Sequence, residues 1–556
     1  MEKGKQRTSF IKMTIRNILR CVLFLCFVHF SCQGPIETQI KNTIDEVYQS
    51  CRSDKNPGIV VAVVKDGQEV LTETFGVKDK ISKEPVTKDT LFGLAGLSAL
   101  FANVLFTKKS AAFDAINEDT TLRNLFGNNK IFKKSKLRSR YATTLDIMAH
   151  RLGIRNTPYL FLDETVTRGG PVIDRIASMR ARGRFRDSMF YNEVLYSILT
   201  TIGERLGSDA WEHLVDVEIF QPLGMTAANF TTIVSPSTSD IAQAYKNDEG
   251  TLYPVPHEFL RKWTRLCATT CVMSSVKDMA KFMKFLLGNG TIPGTSNILL
   301  SKKSHEDLFD AYNRLQNPSI EDYFLTIRGL PVSRTHFAYA QGIKKGIYNN
   351  ERILESADDM FGYNTLLTLF PDHDLGIFIA MTGEDKDDLF RTALSSYISD
   401  LYLGKQVWLN ATLLCSFPAP FMPAPAEDTP KTHPEVPIGR NLDDFVGNYT
   451  SDIYGAARVV SDNGALKFIY GFGEFNLKRE ETKSLKFNMF PTGLIEHMIP
   501  VDDLRFKEDS KTNQIESLKV DRFDGGEFTR EMPTPPTTTP ATAQTPASAG
   551  GLAIPL

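Results

Sequence analysis

Pro418, Pro420, Pro423, Pro425, Pro430, Pro434 and Pro437 crowd one short stretch of this 556-residue chain. Each fixes φ and lacks an amide donor, so the stretch is expected to be an extended linker that enters neither helix nor sheet. It divides the chain into a large unit over residues 37–414 and a small one over 441–531, with the linker at 415–440. The large unit is long enough to bury a full core. A second biased tract, 532–556, passes through Pro533, Thr537, Thr538, Thr539 and Pro540 and reads as a disordered tail open to O-glycosylation.

Lys3, Lys5, Arg7, Lys12, Arg16 and Arg20 precede an apolar run from Cys21 to Phe30, the layout of a basic n-region and an h-region. Residues 1–34 are therefore read as a secretory signal, and the expected location is extracellular. The run falls short of the roughly 20 residues that span hydrocarbon. A signal-anchor, extended by Ile18 and Leu19, is the alternative that would tie the protein to a membrane. Secretion agrees with four glycosylation sequons, at Asn229, Asn289, Asn410 and Asn448. Outside the signal, Cys51, Cys267, Cys271 and Cys415 form an even set with three pairings open, and buried free thiols are the rival reading.

Hydrophobic content of 42% and charged content of 23% exclude wholesale disorder and a polytopic membrane protein. Lys+Arg 64 against Asp+Glu 66 leaves no general basic field for nucleic acid, and the far N-terminus is the one place where cations look concentrated. Nucleic acid is therefore not an expected partner. No C-x-x-C pair or His-rich cluster points to a metal, and no cofactor is expected. Nothing in the sequence names the ligand, the protein partner or the oligomeric state.

The large unit opens on "GIVVAVVKDGQEVLTETFG", two β-rich runs around an Asp66-Gly67 hairpin turn. Helical patterns follow in "NEVLYSILTTIGERLG", "AWEHLVDVEIFQPLG" and "SSVKDMAKFMKFLLGNG", with Gly207 and Gly288 as expected stops. Strands return at "YNTLLTLFPDHDLGIFIAMTG". The fold class is accordingly α+β, with the first and last strands in one antiparallel sheet. The small unit, "FVGNYTSDIYGAARVVSDNGALKFIYGFGEFNLKRE", alternates in short runs about turns such as Asp462-Asn463-Gly464 and predicts a small β-barrel or sandwich filled by its own side chains.

Five stretches of the large unit, in order, resemble the serine β-lactamase and DD-peptidase family in its class C and esterase-like branch: "TLFGLAGLSALFANVLF", "LDIMAHRLGI", "FQPLGMT", "SSVKDMAKFMKFLL" and "FPDHDLGIFIAMTG". The small unit is similar to the lipocalin-like β-domain that often follows such hydrolases. The resemblance implies a nucleophilic serine with a lysine three residues on, so that the lysine accepts the serine proton. Aligning Thr90, Phe92 and Ala95 puts Gly96 at the serine and Ala99 at the lysine. Ser98 does not substitute, because two helical steps turn its side chain by about 200 degrees.

The family's Tyr-x-Asn element falls on Tyr191, Asn192 and Glu193, which keeps the phenol and loses the amide; shifting by one would keep Asn192 and put Phe190 at the tyrosine. The Lys/His-x-Gly strand, counted back from Gly362, falls on Ser356, Ala357 and Asp358. Joint loss of a buried lysine and its serine partner removes a desolvated charge rather than stranding one, so the exchange is coherent in energy. The expected protein is thus a secreted pseudoenzyme that binds or scaffolds, with an acidic to neutral cleft suited to cationic or polar ligands. The alternatives are an active serine hydrolase with a relocated nucleophile, for which Ser98, Ser188 and Ser356 are the candidates, and ligand binding by the barrel.

Overall fold

The computed structural model describes residues 35–531 except 113–119, 128–130, 249, 264–265, 316–326, 328, 423–438, 480–484 and 524–525. The signal over 1–34 and the tail over 532–556 lie outside the described residues. Asp66 and Gly67 both take positive φ, 51° and 70°, and close the hairpin between β1 (Gly58–Lys65) and β2 (Gln68–Gly76). Three two- or three-residue strands, β3 (Phe92–Gly93), β4 (Asn229–Phe230) and β7 (Val272–Ser274), form a small sheet, and β5 (Tyr245–Asp248) pairs with β6 (Thr251–Pro254).

The remaining strands of the large unit are β8 (Asn313–Arg314), β9 (Arg334–Tyr339), β10 (Lys344–Tyr348), β11 (Glu351–Met360), β12 (Tyr363–Phe370) and β13 (Leu375–Thr382). With the first hairpin they make an eight-stranded antiparallel sheet in the order β2-β1-β13-β12-β11-β10-β9-β8. The expected meeting of first and last strands is the β1–β13 pairing, Val61 opposite Ile379 and Val63 opposite Ile377. Both strands are buried on both faces, which explains why they read as continuous apolar runs rather than alternating ones. The helices Ser98–Ala112 and Val276–Leu287 cover one face, and Ile36–Val47 and Leu389–Tyr402 cover the other.

One helix end differs from expectation by a residue: Tyr196–Gly207 includes its glycine and is capped by left-handed Ser208 (φ 51°), whereas Val276–Leu287 stops at Gly288 as expected. Gly207 serves space instead, since a Cβ there would lie 2.5 Å from Leu214.

The linker boundary also moves. Cys415 and Ser416 complete the helix Ala411–Ser416, Cys415 bonds Cys51, and Phe417 and Phe421 pack edge-on against Trp408. Residues 415–422 therefore belong to the large unit, because a disulfide and buried aromatic rings outweigh the local proline signal. The second pair is Cys267–Cys271.

The small unit is a closed antiparallel barrel of β14 (Gly447–Ser451), β15 (Gly455–Asp462), β16 (Ala465–Tyr470), β17 (Gly473–Arg479), β18 (Lys486–Thr492), β19 (Asp502–Glu508), β20 (Ile515–Val520) and β21 (Glu527–Arg530). Asn463 (φ 50°) and Gly464 (φ 79°) close the β15–β16 hairpin. Its interior is packed with Phe445, Tyr449, Phe468, Phe487, Phe506 and Phe528, all essentially buried. The barrel docks on the large unit through stacked Tyr159 and Phe523 rings, 4.8 Å apart, and a hydrogen bond from the Phe472 amide to the Leu162 carbonyl at 3.0 Å. Among the described residues, no helix is long and apolar enough to cross a membrane.

Candidate functional site

The site is built where the helix Ser98–Ala112 begins. A 3-10 turn, Ala95–Leu97, leads into it, held by the Leu94 amide on the Val272 carbonyl (2.8 Å) and by Thr365 Oγ1 on the Leu94 carbonyl (3.1 Å). Ala95 takes a left-handed backbone, φ 50°, a conformation that costs an L-residue about 1–2 kcal/mol and persists only where the surroundings enforce it. Strain is thus retained one residue before Gly96.

Gly96 lies on a cleft of about 270 Å³ shared with Tyr191, Tyr339, Lys344, Ser356 and Asp358. The space that a side chain at 96 would need is already taken. A Cβ built there would lie 1.6 Å from Asp358 Oδ2 and 2.9 Å from the Tyr191 hydroxyl. Those two groups meet over the glycine, with the Tyr191 hydroxyl donating to Asp358 Oδ2 at 3.2 Å. Asp358 comes from β11, paired with Thr365 of β12. The structure therefore brings Gly96, Tyr191 and Asp358 into contact from three distant parts of the chain. Ser356 lines the same cleft, Ala99 is buried, and Glu193 lies close enough for its charge to act on Tyr191.

The electrostatics are those of desolvated acids. Burial, and then the neighbouring charge of Asp359, push the Asp358 carboxyl up to about 6. Burial, and then Asp358, push Glu193 up to about 8, so that it keeps its proton at neutral pH. Burial and Asp358 also hold the Tyr191 phenol well above its ordinary range, leaving it a proton donor. Asp359 and Asp388 add carboxylates to the wall, although Asp388 is engaged by Arg391. Glu355 differs. Burial would raise it, but Arg334 and His336 beside it hold it well below the usual carboxylate range.

Sequence reasoning did not find the part played by two residues. His150 is buried, its ring 4.7 Å from that of Tyr191 and 5.4 Å from that of Tyr339, and burial lowers it to about 3, so it is neutral. Its Nδ1 accepts from the Asn192 amide at 3.3 Å. Asn192 in turn donates its side-chain amide to the carbonyls of Ile154 (3.2 Å) and Arg155 (2.7 Å), and is turned to the loop rather than the cleft. The signal for this was the stretch "LDIMAHRLGI", whose His150 fixes the wall behind Tyr191.

The candidate serines fare differently. Ser98 is buried and its Oγ accepts from the Val272 amide at 3.2 Å, on the side of β7. Ser188 is buried, with no partner for its hydroxyl among the described residues, and does not line the cleft. Ser356 alone of the three lines it. Among the described residues, no group of three or more His, Cys, Asp or Glu side chains is arranged to hold a metal ion. Of the sequon asparagines, Asn289, Asn410 and Asn448 are exposed, whereas Asn229 is partly buried in β4.

A strained turn into a buried helix, flanked by an antiparallel sheet, defines a penicillin-binding-protein-like fold. Two solved structures share it: an octameric penicillin-binding protein homologue from Pyrococcus abyssi (TM-score 0.54, 17% identity, 88% of this chain and 99% of that one) and SurE (TM-score 0.52, 15% identity, 90% and 100%). The model of the Beta-lactamase family matches residues 40–396, and the chain belongs to that family. It is also 66% identical over 277 residues to Gigasin-6 of Magallana gigas, covering 50% of this chain and 92% of that protein.

Proposed function

We propose that this protein is a secreted, non-catalytic member of the Beta-lactamase family, whose cleft binds a ligand or partner and does not acylate. The observation that carries the reading is the Asp358 carboxylate, which fills the volume over Gly96 where the family resemblance requires a nucleophile. Acyl transfer needs an activated hydroxyl beside a proton acceptor. Gly96 and Ala99 supply neither group, and Ser98 is committed to the Val272 amide. The acids of the wall, Asp358 and Asp359, favour cationic or polar ligands over carboxylate-bearing ones.

The test is covalent labelling of the full-length protein with a fluorophosphonate and with a fluorescent penicillin. The expected result is no stoichiometric adduct with either. A stoichiometric adduct on any serine, with Ser356 the position to inspect first, overturns the proposal and identifies a relocated nucleophile. Preference for anionic penicillin-like compounds over basic ligands in equilibrium binding would overturn the charge reading separately.

A further inference from the structure

Cations are expected from the sequence to concentrate only at the N-terminus, and the folded chain corrects this. Between residues 133 and 186 there are thirteen Lys and Arg against four Asp and Glu, in a protein of net charge -2. Three separate stretches of that segment lie side by side. The Arg182 and Gly183 amides both donate to the Gly153 carbonyl at 2.9 Å, and Ile154 bridges Ala181. Arg138, buried beneath, ties the helix Lys136–Tyr141 to both neighbours by donating to the carbonyls of Leu152 and Gly183.

On this frame Lys133, Lys136, Arg140, Arg155, Arg180 and Arg184 are all exposed, and none has a carboxylate partner among the described residues. From 180 to 184 exposure alternates, with Arg180, Arg182 and Arg184 on the open side and Ala181 and Gly183 half-buried. The result is a row of guanidinium groups rather than a point site.

We propose that this face docks a linear sulfated polysaccharide. Guanidinium groups bind tetrahedral oxyanions through paired N–H donors, and a row of them matches a polymer with regularly spaced charge. Two other polyanions fit less well. Disulfides such as Cys51–Cys415 form in oxidising compartments outside the cytosol and nucleus, where glycans rather than nucleic acid are the prevalent polyanion. Firm seating on an anionic membrane gains from an apolar face to bury beside the cations, and the six-residue helix offers only Leu137 (51% exposed) and Tyr141 (46%).

The full-length protein is to be titrated with heparin, desulfated heparin, duplex DNA and phosphatidylserine vesicles at equal anionic charge and physiological salt. Heparin should bind tightest, and desulfation should weaken it. The reversal R140E/R180E/R184E should lower heparin affinity about tenfold or more and flatten its salt dependence. The matched reversal K80E/K83E/K88E, at exposed lysines of the loop between β2 and β3, controls for net charge, and thermal melts of both variants control for folding. Equal loss in the two variants, unchanged affinity in the first, or tighter binding of DNA or vesicles than of heparin would each overturn the proposal.

Discussion

Arg184 and Glu193 stand only nine residues apart in the chain, yet water treats the arginines of 180–184 and the acids of the cleft in opposite ways. The arginines stand in solvent, keep their charge at little cost and repel one another only weakly. Glu193 and Asp358 are half-buried, and desolvation raises both, with the charge of Asp358 adding to the effect on Glu193 and that of Asp359 to the effect on Asp358. Clustered charge of one sign is therefore cheap on the face and expensive in the cleft. An arrangement kept at a cost in stability is the stronger pointer to a role for the cleft.

The comparison breaks most directly at Gly96. Gly96→Ser forces a Cβ into the Asp358 carboxylate and should destabilise the fold by about 1–3 kcal/mol, read by denaturant or thermal unfolding. Adding Asp358→Gly should restore most of that loss. A neutral Gly96→Ser would show that the carboxylate does not hold the space.

A smaller effect sharpens the contrast through pH. A carboxyl raised in the folded state favours the fold while protonated. Its contribution is full below the ordinary values of 3.8 for Asp358 and 4.5 for Glu193, and is lost as pH rises through about 6 and about 8. Wild-type stability should therefore fall between pH 5 and pH 8.5 more than that of Glu193→Gln, with a difference on the order of 1 kcal/mol at the upper end, followed by melts across that range. Parallel pH profiles would remove the claim that Glu193 is held desolvated.

The smallest effect belongs to the face. Arg180→Ala and Arg184→Ala should change stability by less than about 0.5 kcal/mol, as expected for exposed side chains without partners. A larger loss in the same melts would mean that these arginines hold the fold together rather than await a ligand.

Much of the architecture was legible in the chain because it rests on local pattern. The β1–β2 hairpin follows from Asp66-Gly67 between apolar runs, and the Val276–Leu287 helix follows from its periodicity and its Gly288 stop. The linker misled at its start because the prolines after Ser416 carry no sign of the disulfide and ring packing that fold residues 415–422 onto the large unit. In the cleft, glycine at 96 and alanine at 99 are plain in the sequence, and their alignment with a serine and a lysine belongs to the reading proposed above. The group that fills the space over Gly96 was not legible, because Asp358 arrives from β11, 262 positions along the chain.

What the sequence by itself determined is therefore the two-unit plan, the strand and helix patterns within it, and the absence of a side-chain hydroxyl or amine at Gly96 and Ala99. Only the tertiary structure decided that Tyr191 and not Phe190 faces Gly96, that Cys51 reaches Cys415, and that three cation-bearing stretches lie side by side. Local pattern is set by backbone sterics and by side-chain period along the chain, which a short window contains. Contact between distant residues depends on sheet order and on how layers pack, and no window of sequence contains either.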